Sequence, residues 1–200
     1  MKTEYLSDDE ETKLFDYLRD RLDKGTGAGE FKGEMEDIYK VLIDTGLRHN
    51  EMCRLEWSKI DLDARTIDVY RKKTDSSTKL RMTNRVHEVL QRRFANKKHE
   101  KWVFTNQAMD DHRRDATTYL NELLYKAGLP YSVHQLRHTT ASRLLALGMT
   151  LAEVQVILGH ASIVTTSRYA HLEANSTSEK AADLLNAHTA EVRRKALKIV

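Results

Sequence analysis

One β-rich segment interrupts a chain whose apolar residues otherwise follow a helical period, and this contrast limits the fold more than any other feature. Residues 66–70 alternate apolar and polar side chains, a turn-rich cluster follows at 75–77, and a second short alternating run covers 79–83. This order predicts an antiparallel hairpin. The fold class is therefore predicted as mainly α with a small antiparallel β-sheet (α+β).

Helices are predicted on both sides of the hairpin, where apolar residues recur every three or four positions. Capping boxes at residues 7–10, 132–135 and 150–153 mark three helix starts, and Asn84 is predicted to cap a fourth helix. Gly46, Gly148 and Gly159 each follow the last apolar position of a helix, as expected of helix stops. The predicted helices are 11–22, 35–45, a short one at 52–57, 84–94, 116–127, 132–147, 150–158 and 162–168. A glycine-rich loop is predicted at 25–29.

The length of 200 residues suits one domain, or one domain with a small appendage. A catalytic domain is predicted over residues 1–175, followed by an amphipathic C-terminal helix over 176–200. The apolar stripe of that helix must be covered, either by its own domain or by a neighbouring protomer.

Composition excludes several classes of protein but selects none. A single cysteine, Cys53, excludes an internal disulfide, and no apolar run is long enough to span a bilayer. We also find no export signal. The net charge of +3 permits a nucleic-acid partner without requiring one.

Three short stretches combine the side chains that phosphodiester cleavage needs. They are Thr45-Gly46-Leu47-Arg48-His49-Asn50-Glu51, then His134-Gln135-Leu136-Arg137-His138-Thr139, then Leu158-Gly159-His160 followed nine residues later by Tyr169. Without a metal ion, this chemistry requires fixed cations on the phosphate, a nucleophile and proton donors or acceptors. Each residue alone is commonplace, because surface arginines, cap histidines and core tyrosines are frequent.

Taken together, these stretches resemble the tyrosine recombinase (phage integrase) family, from about Leu6 to about Leu172. The resemblance implies a tyrosine-recombinase catalytic-domain-like fold. It also implies a set of catalytic positions, which are Arg48, Lys73, His134, Arg137, His160 and Tyr169.

The family's chemistry gives each of these residues an expected role. Tyr169 attacks phosphorus, Arg48 and Arg137 bind the non-bridging oxygens, and His160 donates a hydrogen bond to one of them. His134 accepts the proton of the tyrosine or holds the phosphate. The general acid is a lysine of the hairpin turn, expected to be Lys73, with Lys72 and Lys79 as rivals.

Two further residues are expected to support the site. Glu51 lies one helical turn after Arg48 and shares its face, so it is expected to hold the cations of the site or to form a surface ion pair. His138 lies four residues after His134, but no third ligand is spaced for zinc. A structural hydrogen bond is therefore expected of His138, and no metal or cofactor is expected.

The resemblance implies a site-specific DNA recombinase or integrase that works through a 3′-phosphotyrosine intermediate without metal or ATP. The expected partners are double-stranded DNA and three further copies of the chain, in a homo-tetramer that assembles on DNA from a free monomer, with no membrane. The expected location is the cytoplasm of a bacterial or phage-infected cell, associated with the nucleoid. A nicking-closing topoisomerase and a catalytically inactive DNA-binding regulator remain alternatives. Because the chain starts almost at the catalytic domain, it is expected to be either an excised fragment or a short, single-domain member.

Overall fold

A computed structural model describes residues 5–23, 29–71, 76–114 and 116–160, together with 162, 166–167, 169–170, 181–182 and 185–188. In chain order the elements are α1 (Asp8–Asp23), α2 (Gly29–Thr45), α3 (His49–Cys53), a 3-10 turn (Trp57–Lys59), β1 (Ile60–Asp61), β2 (Thr66–Arg71), β3 (Ser76–Arg81), α4 (Asn84–Ala95), α5 (Thr117–Lys126), α6 (Val133–Ala146) and α7 (Leu151–Leu158). The predicted class, mainly α with a small antiparallel sheet, is confirmed.

Helix α2 is the centre of the main core and packs against α1, α4 and α6. Its residues Ile38, Tyr39 and Leu42 are almost completely inaccessible to solvent. The hydroxyl of Tyr39 donates to the carbonyl of Leu120 at 2.5 Å, which satisfies its polar end inside the core. Burial of this central helix fixes its C-terminal end, where Gly46 and Arg48 follow.

The sheet has three antiparallel strands in the order β1-β2-β3. The predicted hairpin is confirmed, with Val69 opposite Thr78 and Arg71 opposite Ser76. Two details were wrong. Ser76 and Ser77 lie in β3 rather than in the turn, and β1 was not predicted, because two residues are too few to show a periodic pattern.

Local sequence signals set most helix boundaries. In the predicted capping box of α1, the Ser7 backbone N–H donates to Glu10 at 2.9 Å and the Glu10 N–H donates to the Ser7 hydroxyl at 3.2 Å. The cap of α4 was wrong by one position, since the Thr83 hydroxyl accepts from Val86 N and Asn84 is already helical. The short helix predicted at 52–57 was also misplaced: α3 covers His49–Cys53, and the 3-10 turn begins at Trp57.

A second, smaller apolar cluster lies between α6 and α7. Its buried members are Ala141, Leu145, Val154, Leu158 and Tyr169. Tyr169 therefore shares one small apolar cluster with residues of α6 and α7.

Several predicted features lie wholly or partly outside the described residues. They include the loop at 25–29, of which only Gly29 is described, Asp75 of the predicted turn cluster at 75–77 and most of the predicted C-terminal helix over 176–200. Within that helix, residues 181–182 and 185–188 are helical and exposed. Among the described residues, no helix is both long and apolar enough to cross a membrane.

Candidate active site

Arg48 lies between α2 and α3, where the backbone turns through Gly46. Gly46 has φ +63, a left-handed conformation that glycine adopts without steric cost. Arg48 then occupies the position before α3, and its backbone N–H donates to Glu51 Oε2 at 2.9 Å. Its Nη1 donates to Glu51 Oε1 at 2.6 Å. Glu51 therefore both caps α3 and holds the Arg48 side chain, which is still about one-third exposed.

Arg137 reaches the same place from α6, although its side chain is buried. Its Nη1 donates to the carbonyl of Gly46 at 2.6 Å, and its Nη2 donates to the carbonyl of Leu158. Burial, followed by the positive charge of Arg48, lowers the pKa of Arg137 to about 10. The guanidinium stays charged at neutral pH, and both of its bonds fix its direction.

The C-terminal end of α7 is where three arginines meet. The N–H groups of Gly159 and His160 donate to the carbonyls of Val156 and Gln155, as in a glycine-capped helix end. Each of the next three carbonyls accepts a hydrogen bond from a different guanidinium group. The carbonyl of Ile157 accepts from Arg71 at 3.0 Å, that of Leu158 from Arg137, and that of Gly159 from Arg48 at 3.4 Å. The last carbonyls of a helix lack donors of their own and carry partial negative charge. They therefore hold like-charged side chains together.

Arg71 was not predicted as part of this cluster. A signal was present in the alternation of β2, in which Ile67, Val69 and Arg71 share the buried face of the strand. A charged residue in register with two buried aliphatic residues indicates an internal ion pair or polar contact.

His160 follows Gly159 directly and is half-buried. Its Nδ1 lies 2.8 Å from the hydroxyl of Thr166, which is fully buried. Burial, then the charges of Arg137 and Arg48, lower the pKa of His160 to about 4. The imidazole is therefore uncharged at neutral pH and has one donor and one acceptor nitrogen.

Tyr169 is 6% exposed, and its hydroxyl is hydrogen-bonded to Nδ1 of His138. His138 therefore forms a hydrogen bond with the tyrosine itself, and the structural role expected of it stays a prediction. His134 is exposed, with its ring edge-on to that of His138 at 5.2 Å between centroids. The structure therefore pairs the tyrosine hydroxyl with His138, whereas the sequence had suggested His134.

Of the three candidate lysines, Lys72 and Lys73 lie outside the described residues. Lys79 is described and lies on β3, with its Nζ 3.9 Å from Asp68 and its side chain 66% exposed. It alternates with Thr78, whose hydroxyl accepts from Arg71, so Lys79 lies on the sheet face away from the arginines. This geometry disfavours Lys79 as the general acid.

Comparison with known proteins shows the family of the chain and supports its fold. Residues 4–176 match the phage integrase family. The integrase of Salmonella phage P22 is 28% identical over 167 residues, which cover 76% of this chain and 43% of that protein. Tyrosine recombinase XerA of Saccharolobus solfataricus is 33% identical over 135 residues, covering 68% of this chain and 45% of that protein. The chain therefore belongs to the phage integrase family, and it spans less than half the length of these two relatives.

Solved structures show the same architecture. The crystal structure of a XerA recombinase superposes with a TM-score of 0.66 at 28% identity, covering 90% of this chain and 62% of that one. The Tn1549 transposon integrase in complex with circular intermediate DNA superposes with a TM-score of 0.72 at 22% identity, covering 92% and 68%. This second likeness concerns the fold alone.

Proposed function

We propose that this chain supplies the catalytic domain of a site-specific DNA recombinase or integrase that cleaves and rejoins DNA strands through a 3′-phosphotyrosine intermediate. The supporting observation is the meeting of Arg48, Arg137 and His160 at the end of α7, next to Tyr169. Tyr169 and Leu158 belong to the same buried apolar cluster, and the carbonyl of Leu158 accepts from Arg137. The C-terminal end of α7 thus brings together two cations, a neutral hydrogen-bonding imidazole and a nucleophile.

The arginines stabilise charge on the scissile phosphate. A phosphodiester gains negative charge as the nucleophile adds, so cations fixed in advance favour the transition state over the ground state. Arg48 presents its exposed part to solvent, and Arg137 is held behind it by Gly46 and Leu158. His160, uncharged and supported by Thr166, donates a hydrogen bond to a non-bridging oxygen.

Tyr169 is the nucleophile and loses its proton as it attacks. Because its hydroxyl is already bonded to Nδ1 of His138, His138 is better placed than His134 to accept that proton. The Oη–phosphorus bond forms while the bond from phosphorus to the 5′-oxygen breaks. Lys73 protonates the leaving 5′-oxygen, and attack by another 5′-hydroxyl reverses the step, so the phosphodiester bond energy is retained and neither ATP nor metal enters the scheme.

The partners follow from this chemistry. Double-stranded DNA is the substrate. The protein is a monomer when free and assembles on DNA into a homo-tetramer that holds two duplexes. The C-terminal helix over 176–200 docks onto a neighbouring protomer. Such an enzyme acts in the cytoplasm, at the nucleoid of a bacterial or phage-infected cell.

Truncation after Asn175 is expected to spare binding to a single site and to weaken assembly in gel-shift titrations. A collapsed thermal transition would instead assign the helix to its own core.

Trapping the covalent intermediate tests the proposal. A duplex is first selected by binding from a randomised pool and is then nicked near the cleavage position, so that the released strand diffuses away. Wild-type protein should accumulate a covalent adduct, whereas Tyr169→Phe should bind the duplex without forming one. Tyr125→Phe is the matched control, since Tyr125 is 78% exposed on α5. An adduct formed by Tyr169→Phe, or none formed by the wild type, would refute the proposal.

The same assay separates the two histidines, and assays of strand exchange and of supercoil relaxation separate the alternative enzyme class. His138→Ala should slow adduct formation at neutral pH, with the deficit shrinking as the pH approaches about 10, where a phenol ionises unaided. His134→Ala should lack this pH-dependent recovery. Exchange of strands between two duplexes supports a recombinase, while relaxation of one supercoiled circle without exchange would indicate a topoisomerase.

A further inference from the structure

Arg71 is an unusual residue to place inside a protein, because its side chain is only 1% exposed. Its Nη1 donates to the hydroxyl of Thr78 at 2.5 Å, and its Nη2 donates to the carbonyl of Ile157 at 3.0 Å. Its Nε lies 3.6 Å from Glu51 Oε1. Burying a charged group is unfavourable unless such partners compensate it, so this position is built around a cation.

The guanidinium lies directly beneath the turn that carries His160. A methyl group added at Gly159 would come within 2.4 Å of Arg71 Cδ and 2.6 Å of Cζ. The backbone of Gly159 therefore rests on the Arg71 side chain. Any shift of Arg71 is transmitted to the next residue, His160, because protein interiors are closely packed.

Arg71 also shares a carboxylate with Arg48. Oε1 of Glu51 lies 2.6 Å from Arg48 Nη1 and 3.6 Å from Arg71 Nε. With Arg71 present, the negative charge of Glu51 is divided between two cations, so Arg48 is held in place without being neutralised. Arg137 also bonds to the end of α7, so three guanidinium groups and one carboxylate leave an excess of positive charge there.

We propose that Arg71 is a positioning residue of the phosphate site: it sets Arg48 through Glu51 and supports the turn that presents His160. The proposal rests on the proposed function and extends it to a residue that does not touch the substrate. Since the arrangement favours the more highly charged transition state, loss of Arg71 should affect cleavage much more than DNA binding.

Two substitutions at Arg71 and one elsewhere provide the test. Arg71→Met keeps much of the length and removes the charge, and Arg71→Lys keeps the charge but cannot reproduce the planar fork. Arg113→Met is the matched control, because Arg113 is also a buried arginine but bonds to Glu34 of α2, away from the end of α7. Each protein is assayed for its thermal transition, its Kd for the selected duplex and its single-turnover rate of adduct formation.

For Arg71→Met we expect a Kd within about threefold of wild type and an adduct rate lower by about 100-fold, the size of effect seen when one preorganised contact is lost. Arg71→Lys should recover part of that rate. Arg113→Met should lower the thermal transition and leave the adduct rate of the folded protein unchanged. If Arg71→Met does not fold, the test rests on Arg71→Lys. An adduct rate about tenfold lower than wild type at unchanged Kd would support the proposal, and an unchanged adduct rate would overturn it.

The outcomes distinguish this proposal from the proposed function. An Arg71→Met protein that behaves like Arg113→Met, or that loses binding as strongly as cleavage, would overturn the role of Arg71 alone. A wild-type protein that forms no adduct would overturn the proposed function, and the role of Arg71 with it.

Discussion

Replacing Gly159 by alanine tests the architecture of the arginine cluster directly. Gly159 has φ +63 and ψ 49 at the end of α7, a conformation that costs an L-residue about 1–2 kcal/mol. The added methyl group would also lie 2.4–2.6 Å from three atoms of the Arg71 side chain. Because Arg71 is buried and bonded to Ile157 and Thr78, it cannot move aside without breaking at least one hydrogen bond of a charged group, at about 1.5–3 kcal/mol.

The two contributions sum to about 4 kcal/mol of lost stability. For a chain of this size, 1 kcal/mol shifts the Tm by about 2–4 °C, so Gly159→Ala should lower the Tm by roughly 8–16 °C. Urea unfolding of both proteins gives the free-energy difference independently of the thermal scan.

Gly128→Ala is the matched control. Gly128 has a comparable φ of +74, but its added methyl group would meet only the end of the Lys13 side chain, with Nζ at 2.9 Å and Cε at 3.6 Å. A flexible lysine end moves away easily, so this change should cost about 1–2 kcal/mol, the conformational cost alone. If Gly159→Ala is no more destabilising than Gly128→Ala, Arg71 does not lie beneath Gly159 and the reasoning about the cluster is wrong.

Three further predictions concern the remaining site residues. Arg48→Ala and Arg137→Ala should each raise the cleavage barrier by about 3 kcal/mol or more with a much smaller change in Kd, and equal losses in both measurements would make them ordinary phosphate-positioning residues. Cleavage by Lys73→Ala should be rescued by a substrate with a 5′-phosphorothiolate leaving group, because that group needs no proton to leave. Cleavage by Arg137→Ala should not be rescued. Rescue of Lys72→Ala instead of Lys73→Ala would assign the role of general acid to Lys72. The folded-state pKa of His160, about 4, lies below the ordinary histidine value of about 6.5. Between these values the unfolded chain binds more protons, so stability should fall as the pH is lowered from about 6.5 to about 4. His160→Gln should flatten this part of the stability curve in pH-dependent urea titrations, and an unchanged slope would contradict the buried, uncharged imidazole.

The sequence by itself determined features whose causes are local. The capping boxes at Ser7 and Thr150 appear where the spacing predicts them, because each joins residues three positions apart. The hairpin follows from alternation along two adjacent segments. The family motifs pointed to Arg48, Arg137 and His160, which the structure brings to one end of α7. The misplaced boundaries, at Thr83 and at α3, are errors of one to a few residues at helix ends, where several nearby polar groups compete for the same N–H donors.

Only the tertiary structure decided which distant side chains meet. Arg71 joins the cluster because Glu51, Thr78 and Ile157, from three other elements, lie around the end of β2. His138 contacts Tyr169, 31 positions later in the chain, because α6 and α7 enclose the tyrosine in their small apolar cluster. No spacing along the chain encodes these contacts. They depend on how the buried faces of the helices and strands pack, and that packing is decided by the whole core.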